Sequence, residues 1–177
     1  MLREIITPVI SYATLFSHLV FFVLLIALVS RNSWGKGLIT FIGRNALVFS
    51  LVTVLSAIVG SLLYSGFVGY EPCELCWWQR IFIYPQFVLF AMALYHKDES
   101  VFRYSVPLSI LVFITALYHT YIQLGGTTSI LPCTSEGAAC AKVFVNEFSY
   151  ITIPTMALTI SVYLLLIALI NRIYQRI

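Results

Sequence analysis

Four cysteines are the residues whose type and spacing point most directly to chemistry in this chain. Cys73 and Cys76 are separated by two residues, and Cys133 and Cys140 by six. A C-x-x-C pair closes a very small disulfide ring, which suits thiol–disulfide exchange better than stapling. The chemistry that these residue types predict is the gain and loss of two electrons by paired thiols.

Cys76 has the sequence surroundings of an activated thiol. It comes directly before a long apolar run, so we expect it at or near a helix N-terminus, where the partial positive charge favours a thiolate. Arg80 follows by four residues, one helical turn away on the same face. These neighbours predict a stabilised thiolate at Cys76, although Arg80 also fits a side chain that only reaches to the membrane interface.

Other uses of the four cysteines remain open at this point. Both pairs fit purely structural disulfides. Together they offer four thiolates to one zinc ion, although a spacing of six residues is long for a zinc knuckle. An iron–sulfur cluster has no further motif in its favour.

Composition decides what kind of protein must position these cysteines. Hydrophobic residues make up 60% of the 177 residues and charged residues 10%, with a mean hydropathy of +0.96. Because a soluble domain carries about a quarter charged residues, this composition excludes a soluble enzyme, a disordered tail and a nucleic-acid binder. It predicts an all-α polytopic membrane protein.

Apolar runs of about 20 residues, the length that crosses a bilayer as a helix, predict the spans. Five such runs occur, at residues 9–29, 45–69, 77–95, 104–124 and 154–170. The first is too long for the apolar part of a signal peptide and lacks a clear cleavage site. A β-barrel is not expected, since the runs are continuously apolar.

The Lys and Arg residues in the short loops predict the orientation. Seven of the ten lie on the side of the C-terminus, which is therefore expected to be cytoplasmic: Arg31, Lys36, Arg44, Lys97, Arg103, Arg172 and Arg176. The N-terminus is expected outside. All four cysteines then fall in the two outer loops, in an oxidising compartment.

Two polar residues in the fourth run are further candidates for the site. An ionisable group inside a membrane span, such as His119, is a site candidate by default, with a packed histidine as the alternative. Gln123 lies one turn above it. His18, in the first span, is interpreted as a contact within the bundle.

Thiol oxidation also needs an electron acceptor. The chain has no G-x-G-x-x-G for a flavin or nicotinamide and no C-x-x-C-H for haem. A lipid-soluble quinone needs only a slot between helices, a cation or donor at its oxygens and a nearby thiolate. Arg80, His119 and Cys76 are the candidates for these roles.

On these residues the sequence resembles the DsbB family of disulfide bond formation proteins, and within it the short, BdbC-like branch. The resemblance covers about residues 45–172. The residues that match are the string Pro72–Arg80 (PCELCWWQR), Tyr118, His119, Gln123, Cys133, Cys140 and the string Ile151–Leu158 (ITIPTMAL).

The resemblance implies a four-helix bundle that reoxidises an extracytoplasmic, thioredoxin-like thiol oxidase of the DsbA/BdbD kind and passes the electrons to menaquinone or ubiquinone. It implies redox-active disulfides Cys73–Cys76 and Cys133–Cys140. Cys133 would be attacked by the partner's thiol, and Cys140 would resolve the mixed disulfide and exchange with Cys73.

For the remaining residues, the resemblance implies that Cys76 faces the quinone. Arg80 would stabilise the Cys76 thiolate and the reduced quinone oxygen. His119 and Gln123 would lie near the quinone ring, and no resident metal is expected.

This chain departs from the family pattern in two respects. The first span is additional to the four-helix core, so we divide the chain into residues 1–44, with an extra helix and a cytoplasmic loop, and 45–177, the bundle. The second cysteine pair is also closely spaced. The rival hypotheses are a scaffold with structural disulfides and a membrane protein that binds a metal through four cysteines.

Overall fold

The computed structural model describes residues 2–29, 33–126 and 138–176. Within these ranges all regular structure is helical, apart from one isolated bridge between Glu147 and Ile151. The helices are α1 Leu2–Val29, α2 Ser33–Arg44, α3 Ala46–Leu62, α4 Glu74–His96, α5 Phe102–Gln123, α6 Ala138–Ala141 and α7 Ile153–Tyr174. A π-helical turn, Leu63–Phe67, follows α3, and a 3-10 turn, Glu99–Val101, precedes α5.

The predicted membrane spans correspond to long helices. Four segments of the described chain are long and apolar enough to cross a membrane: Glu4–Val29, Ala46–Phe67, Glu99–Gln123 and Ile153–Tyr174. The third predicted span is α4, whose 23 residues extend about 35 Å. It is less apolar because it contains Gln79, Arg80 and Gln86. The chain is therefore an all-α, multi-pass membrane protein, as predicted.

Four helices form a closed bundle. α3 packs against α4, α4 against α5, α5 against α7 and α7 against α3. Val54, Phe90 and Val112 lie at the centre of this bundle and are 0% exposed. The predicted four-helix core is therefore confirmed.

A buried polar network joins α4 to α5 within the bundle. Ser105 Oγ and Ser109 Oγ both donate to Gln86 Oε1, at 2.7 and 3.1 Å. Gln86 Nε2 donates to the carbonyl oxygen of Phe82 at 3.0 Å. Because both the oxygen and the nitrogen of the Gln86 amide have a hydrogen-bond partner, the network joins the two helices without leaving either atom unpartnered.

The structure corrects one expectation about the N-terminal region. Residues 33–44, predicted as part of a cytoplasmic loop, form α2, which packs against α1 and α7. The physical reason is its apolar face, since Ile42 is buried in a cluster with Leu24, Leu166 and Ile170. Hydropathy missed this helix because the segment is amphipathic and short.

Candidate functional site

The first cysteine pair lies where α4 begins. Cys73 is the N-cap residue, with extended backbone, and Cys76 lies in the first helical turn. The two Sγ atoms are 3.1 Å apart, and both cysteines are free thiols. The two sulfurs are therefore adjacent and not bonded to each other.

His119 of α5 connects the first cysteine pair to the second. Its Nε2 lies 3.7 Å from Cys73 Sγ and 3.2 Å from the carbonyl oxygen of Cys140. Its Nδ1 lies 3.4 Å from Gln79 Nε2. Since a carbonyl oxygen only accepts and an amide nitrogen only donates, the proton belongs on Nε2 and Nδ1 accepts from Gln79. These hydrogen bonds hold the buried ring in one orientation.

The groups that stabilise a thiolate converge on Cys73. The hydrogen bond from the Cys76 thiol holds the pKa of Cys73 well below its usual range, and His119 acts in the same direction, while burial opposes both. The sequence predicts the thiolate at Cys76 instead. In the reduced pair Cys76 keeps the proton that the two sulfurs share, because that proton makes the hydrogen bond to Cys73.

Arg80 lies one turn below Cys76 but binds a different helix. Its Nε donates to Ser61 Oγ at 2.9 Å and its Nη2 to the Ser61 carbonyl at 3.3 Å. The guanidinium also lies 5.2 Å from the centre of the Trp77 ring. Arg80 is therefore fixed between α3 and α4, with its charge near the cysteines rather than bonded to them.

The second cysteine pair is only partly described. Cys140, 1% exposed, is disulfide-bonded and packs in one cluster with Cys73, Leu75 and Ile122. Cys133 lies outside the described residues. At least one cysteine of the second pair is therefore packed beside the first pair.

Gln123 is near the site but not bonded to His119. Its Nε2 donates to the carbonyl oxygen of Lys142 at 3.3 Å, which ties the end of α5 to the chain after α6. Its Oε1 is buried and has no hydrogen-bond partner in the described part of the chain. An unused acceptor of this kind is available to a hydroxyl group on a ligand.

A cavity of about 600 Å³ opens from this site into the bundle. All the described candidates except Cys140 line it: Cys73, Cys76, Arg80, His119 and Gln123. Its other walls are mostly apolar side chains of α1, α3 and α7. The volume lies in the range of sites for small organic ligands, and the apolar walls fit one that is lipid-soluble.

Three residues of the site were not identified from the sequence. Gln79 orients His119, and Ser61 binds Arg80. Tyr84 lies one turn beyond Arg80, lines the cavity, and has a buried hydroxyl without a partner among the described residues. Gln79 could have been identified from the sequence, because an amide inside a membrane span needs a hydrogen-bond partner. Ser61 and Tyr84 are common residues in such helices, so nothing in the sequence singles them out.

The metal hypothesis can be compared with this geometry. Ligand atoms of Cys73, Cys76 and His119 lie within 4.8 Å of one another. However, the Nε2 proton of His119 is held by the Cys140 carbonyl, and Cys140 is oxidised, so it offers no thiolate. The hydrogen bonds therefore favour redox chemistry over a four-cysteine metal site.

Fold and site together define a class: helical membrane proteins with a close pair of cysteines at one end of a four-helix bundle. The family model described as "Disulfide bond formation protein DsbB" matches residues 43–171. The chain belongs to the DsbB family.

Relatives within this family include "Disulfide bond formation protein C" of Bacillus subtilis, 38% identical over 65% of this chain and 86% of the relative. "Probable disulfide formation protein C" of Halalkalibacterium halodurans is 36% identical over 72% and 93%. "Probable disulfide formation protein" of Metapseudomonas resinovorans is 31% identical over 72% and 90%. No solved structure matches. These relatives support a role for this chain as a disulfide-forming oxidoreductase.

Proposed function

We propose that this protein is a thiol:quinone oxidoreductase, which reoxidises an extracytoplasmic, thioredoxin-like thiol oxidase and transfers two electrons to a membrane quinone. The main support is that the reduced pair, Cys73 and Cys76, borders a largely apolar cavity with Arg80 beside it. A disulfide that only stapled a loop would not need a cavity open to a lipid-soluble oxidant.

The electrons and protons of the proposed reaction balance. Forming one S–S bond between Cys73 and Cys76 releases two electrons and two protons, and reduction of a quinone to a quinol takes up both. Upstream, the partner's dithiol becomes a disulfide while the second cysteine pair is reduced. The second pair then reduces the Cys73–Cys76 disulfide, returning to its own disulfide form.

The residues around the cavity fit a quinone. A quinone supplies two carbonyl oxygens that gain negative charge on reduction and need a cation or hydrogen-bond donor. Arg80 is placed to offer charge, and the free hydroxyl of Tyr84 is placed to donate. His119, fixed by Gln79, holds Cys73 in position as the thiolate that closes the disulfide.

For the second pair we propose the roles that the family resemblance implies. Cys133 receives the attack of the partner's thiol, and Cys140 resolves it and exchanges with Cys73. The common cluster of Cys140 and Cys73 supports a direct exchange. We further propose that this end of the bundle faces the outside, since the partner acts in an oxidising compartment.

The proposal is tested by quinone reduction with purified protein in detergent and a dithiol as electron donor. Quinone absorbance is followed for a menaquinone and a ubiquinone. We expect turnover in the wild type, and loss of turnover in Cys76→Ala, because no disulfide can then form between Cys73 and Cys76. The blank is a variant in which all four cysteines are alanine.

A rate no higher than this blank with either quinone would contradict the proposal. In that case a metal assay separates the two rivals, because bound zinc identifies a metal site and two stable disulfides identify a stapled scaffold. Wild-type turnover in Cys76→Ala would reject the assigned cysteine chemistry.

A further inference from the structure

The helix that precedes the matched family region forms one wall of the cavity. The family match begins at residue 43, after nearly all of α1 and α2. Yet the cavity is lined by seven residues of α1: Val9, Ile10, Ala13, Thr14, Phe16, Ser17 and Val20. From Val9 to Val20 this wall extends about 16 Å along the helix.

Small residues line the cavity on two sides. α1 contributes Ala13, Thr14 and Ser17. Across the cavity, α3 contributes small residues at the same spacing, which are Ser56, Ala57 and Gly60. In membrane bundles such faces normally allow two helices to pack closely. Here they border an open volume instead, which leaves room for a flexible apolar chain.

Contacts with α7 and with the segment that precedes α7 hold α1 in place. His18 Nε2 lies 3.1 Å from Thr159 Oγ1, and the Tyr150 hydroxyl lies 3.4 Å from His18 Nδ1. The Tyr12 ring packs edge-on against Phe148 at 5.4 Å. These contacts make α1 a fixed part of the cavity rather than a separate anchor.

The face of α1 that points away from the cavity carries large, exposed side chains. Leu19, Phe22 and Ile26 are each about 60% exposed and none of them lines the cavity. Leu19, Phe22 and Ile26 therefore face away from the cavity, whereas Ala13, Thr14 and Ser17 face it. This division predicts that α1 contacts lipid on one side and a molecule bound in the cavity on the other.

We propose that α1 forms the lipid-side wall of the quinone site and contacts the isoprenoid tail of the bound quinone, so that this helix sets the protein's preference for tailed quinones. The inference rests on the proposed function, because it assigns part of the same site. The cysteines and Arg80 lie at one end of the cavity, where the ring would react. The tail then lies between α1 and α3.

The test compares two quinones with the same ring, one with an isoprenoid tail and one without. In Ala13→Phe, the new ring occupies space that the tail needs, so we expect KM for the tailed quinone to rise about tenfold. The tailless quinone should keep its KM, and kcat should not change, because the reacting residues are untouched. Leu19→Phe, which adds the same side chain on the lipid face, is the matched control and should behave as wild type.

Ile10→Ala provides a second variant that removes contacts without crowding the bundle. It should raise KM for the tailed quinone by a smaller factor and leave the tailless one unchanged. Equal changes for both quinones, or no change in either variant, would overturn the role of α1 while leaving the proposed function intact. Failure of the wild type to reduce either quinone would reject the proposed function itself.

Discussion

A cysteine at a helix N-cap differs from the serine or aspartate usually found there, because its sulfur can form a disulfide. Cys73 occupies this position, with free N–H groups of the first turn nearby. The neighbouring Cys76 thiol and His119 imidazole further stabilise a negative charge on this sulfur. These groups favour a thiolate at Cys73, beside the sulfur with which it would form a disulfide.

This assignment predicts how the pKa of Cys73 responds to substitution. Because the Cys76 thiol is the main cause of its lowered pKa, Cys76→Ala should raise that pKa more than His119→Ala does. Since a thiolate exists only above its pKa, either change should move thiolate formation to higher pH, toward the ordinary value of about 8.5. The measurement is ultraviolet thiolate absorbance against pH in protein whose second pair is replaced by alanine.

In this experiment Cys73→Ala is the control, because it removes the titrating sulfur under study. A larger pKa increase in His119→Ala than in Cys76→Ala would show that the imidazole is the main stabiliser. A thiolate that persists in Cys73→Ala at mildly acidic pH would place the charge on Cys76, as the sequence predicts.

Residue types could be read from the sequence, but their partners could not. The spacing of Cys76 and Arg80 predicts that they lie close together, and both line one cavity. His119 is a candidate because a histidine inside a span is uncommon. Whether Arg80 bonds a sulfur or Ser61 depends on how α3 is rotated against α4. That rotation is set by packing, which a single sequence does not display.

At the level of helices, hydropathy predicted the long spans because bilayer thickness sets their length. It did not predict α2, whose apolar residues are spaced to cover only one face, nor the π-helical turn after α3. It also did not reveal how α4 is joined to α5, since Gln86, Ser105 and Ser109 are common residues whose contact depends on the bundle.

The network around Gln86 predicts a change in stability. Gln86→Leu removes the shared acceptor of two buried hydroxyls and should lower the free energy of unfolding by about 1 kcal/mol, the usual range for such bonds in membrane bundles. Quinone turnover per folded molecule should not change, since none of the three residues lines the cavity. The measurement is unfolding in detergent by a denaturing surfactant.

Gln175→Leu is the matched control, because it removes an exposed amide bonded to Glu99 at 2.7 Å. Exposed hydrogen bonds of this type contribute little to the free energy of unfolding, so the Gln175→Leu variant should be about as stable as the wild type. If the two variants are equally stable, the buried network does not hold α4 against α5.

For the whole molecule, the placement of positive charge predicts the orientation. Reporter fusions should show the C-terminus and the Lys97–Asp98 turn in the cytoplasm, and the segment around Gly69 outside. A fluorescent protein at the C-terminus should be bright, while alkaline phosphatase there should be inactive. Active phosphatase at the C-terminus would reverse the orientation and place the cysteines in a reducing compartment.

The last helix has a consequence for how the protein is made. α7 packs against four other α-helices, α1, α2, α3 and α5. These contacts cannot form until α7 has left the ribosome and entered the membrane, after the helices that precede it. Until then the earlier helices lie in the bilayer without these contacts, and His18 lacks its partner Thr159 of α7. The closed bundle therefore assembles only after α7 has been inserted, and until that step the earlier helices depend on the protection that the insertion machinery provides.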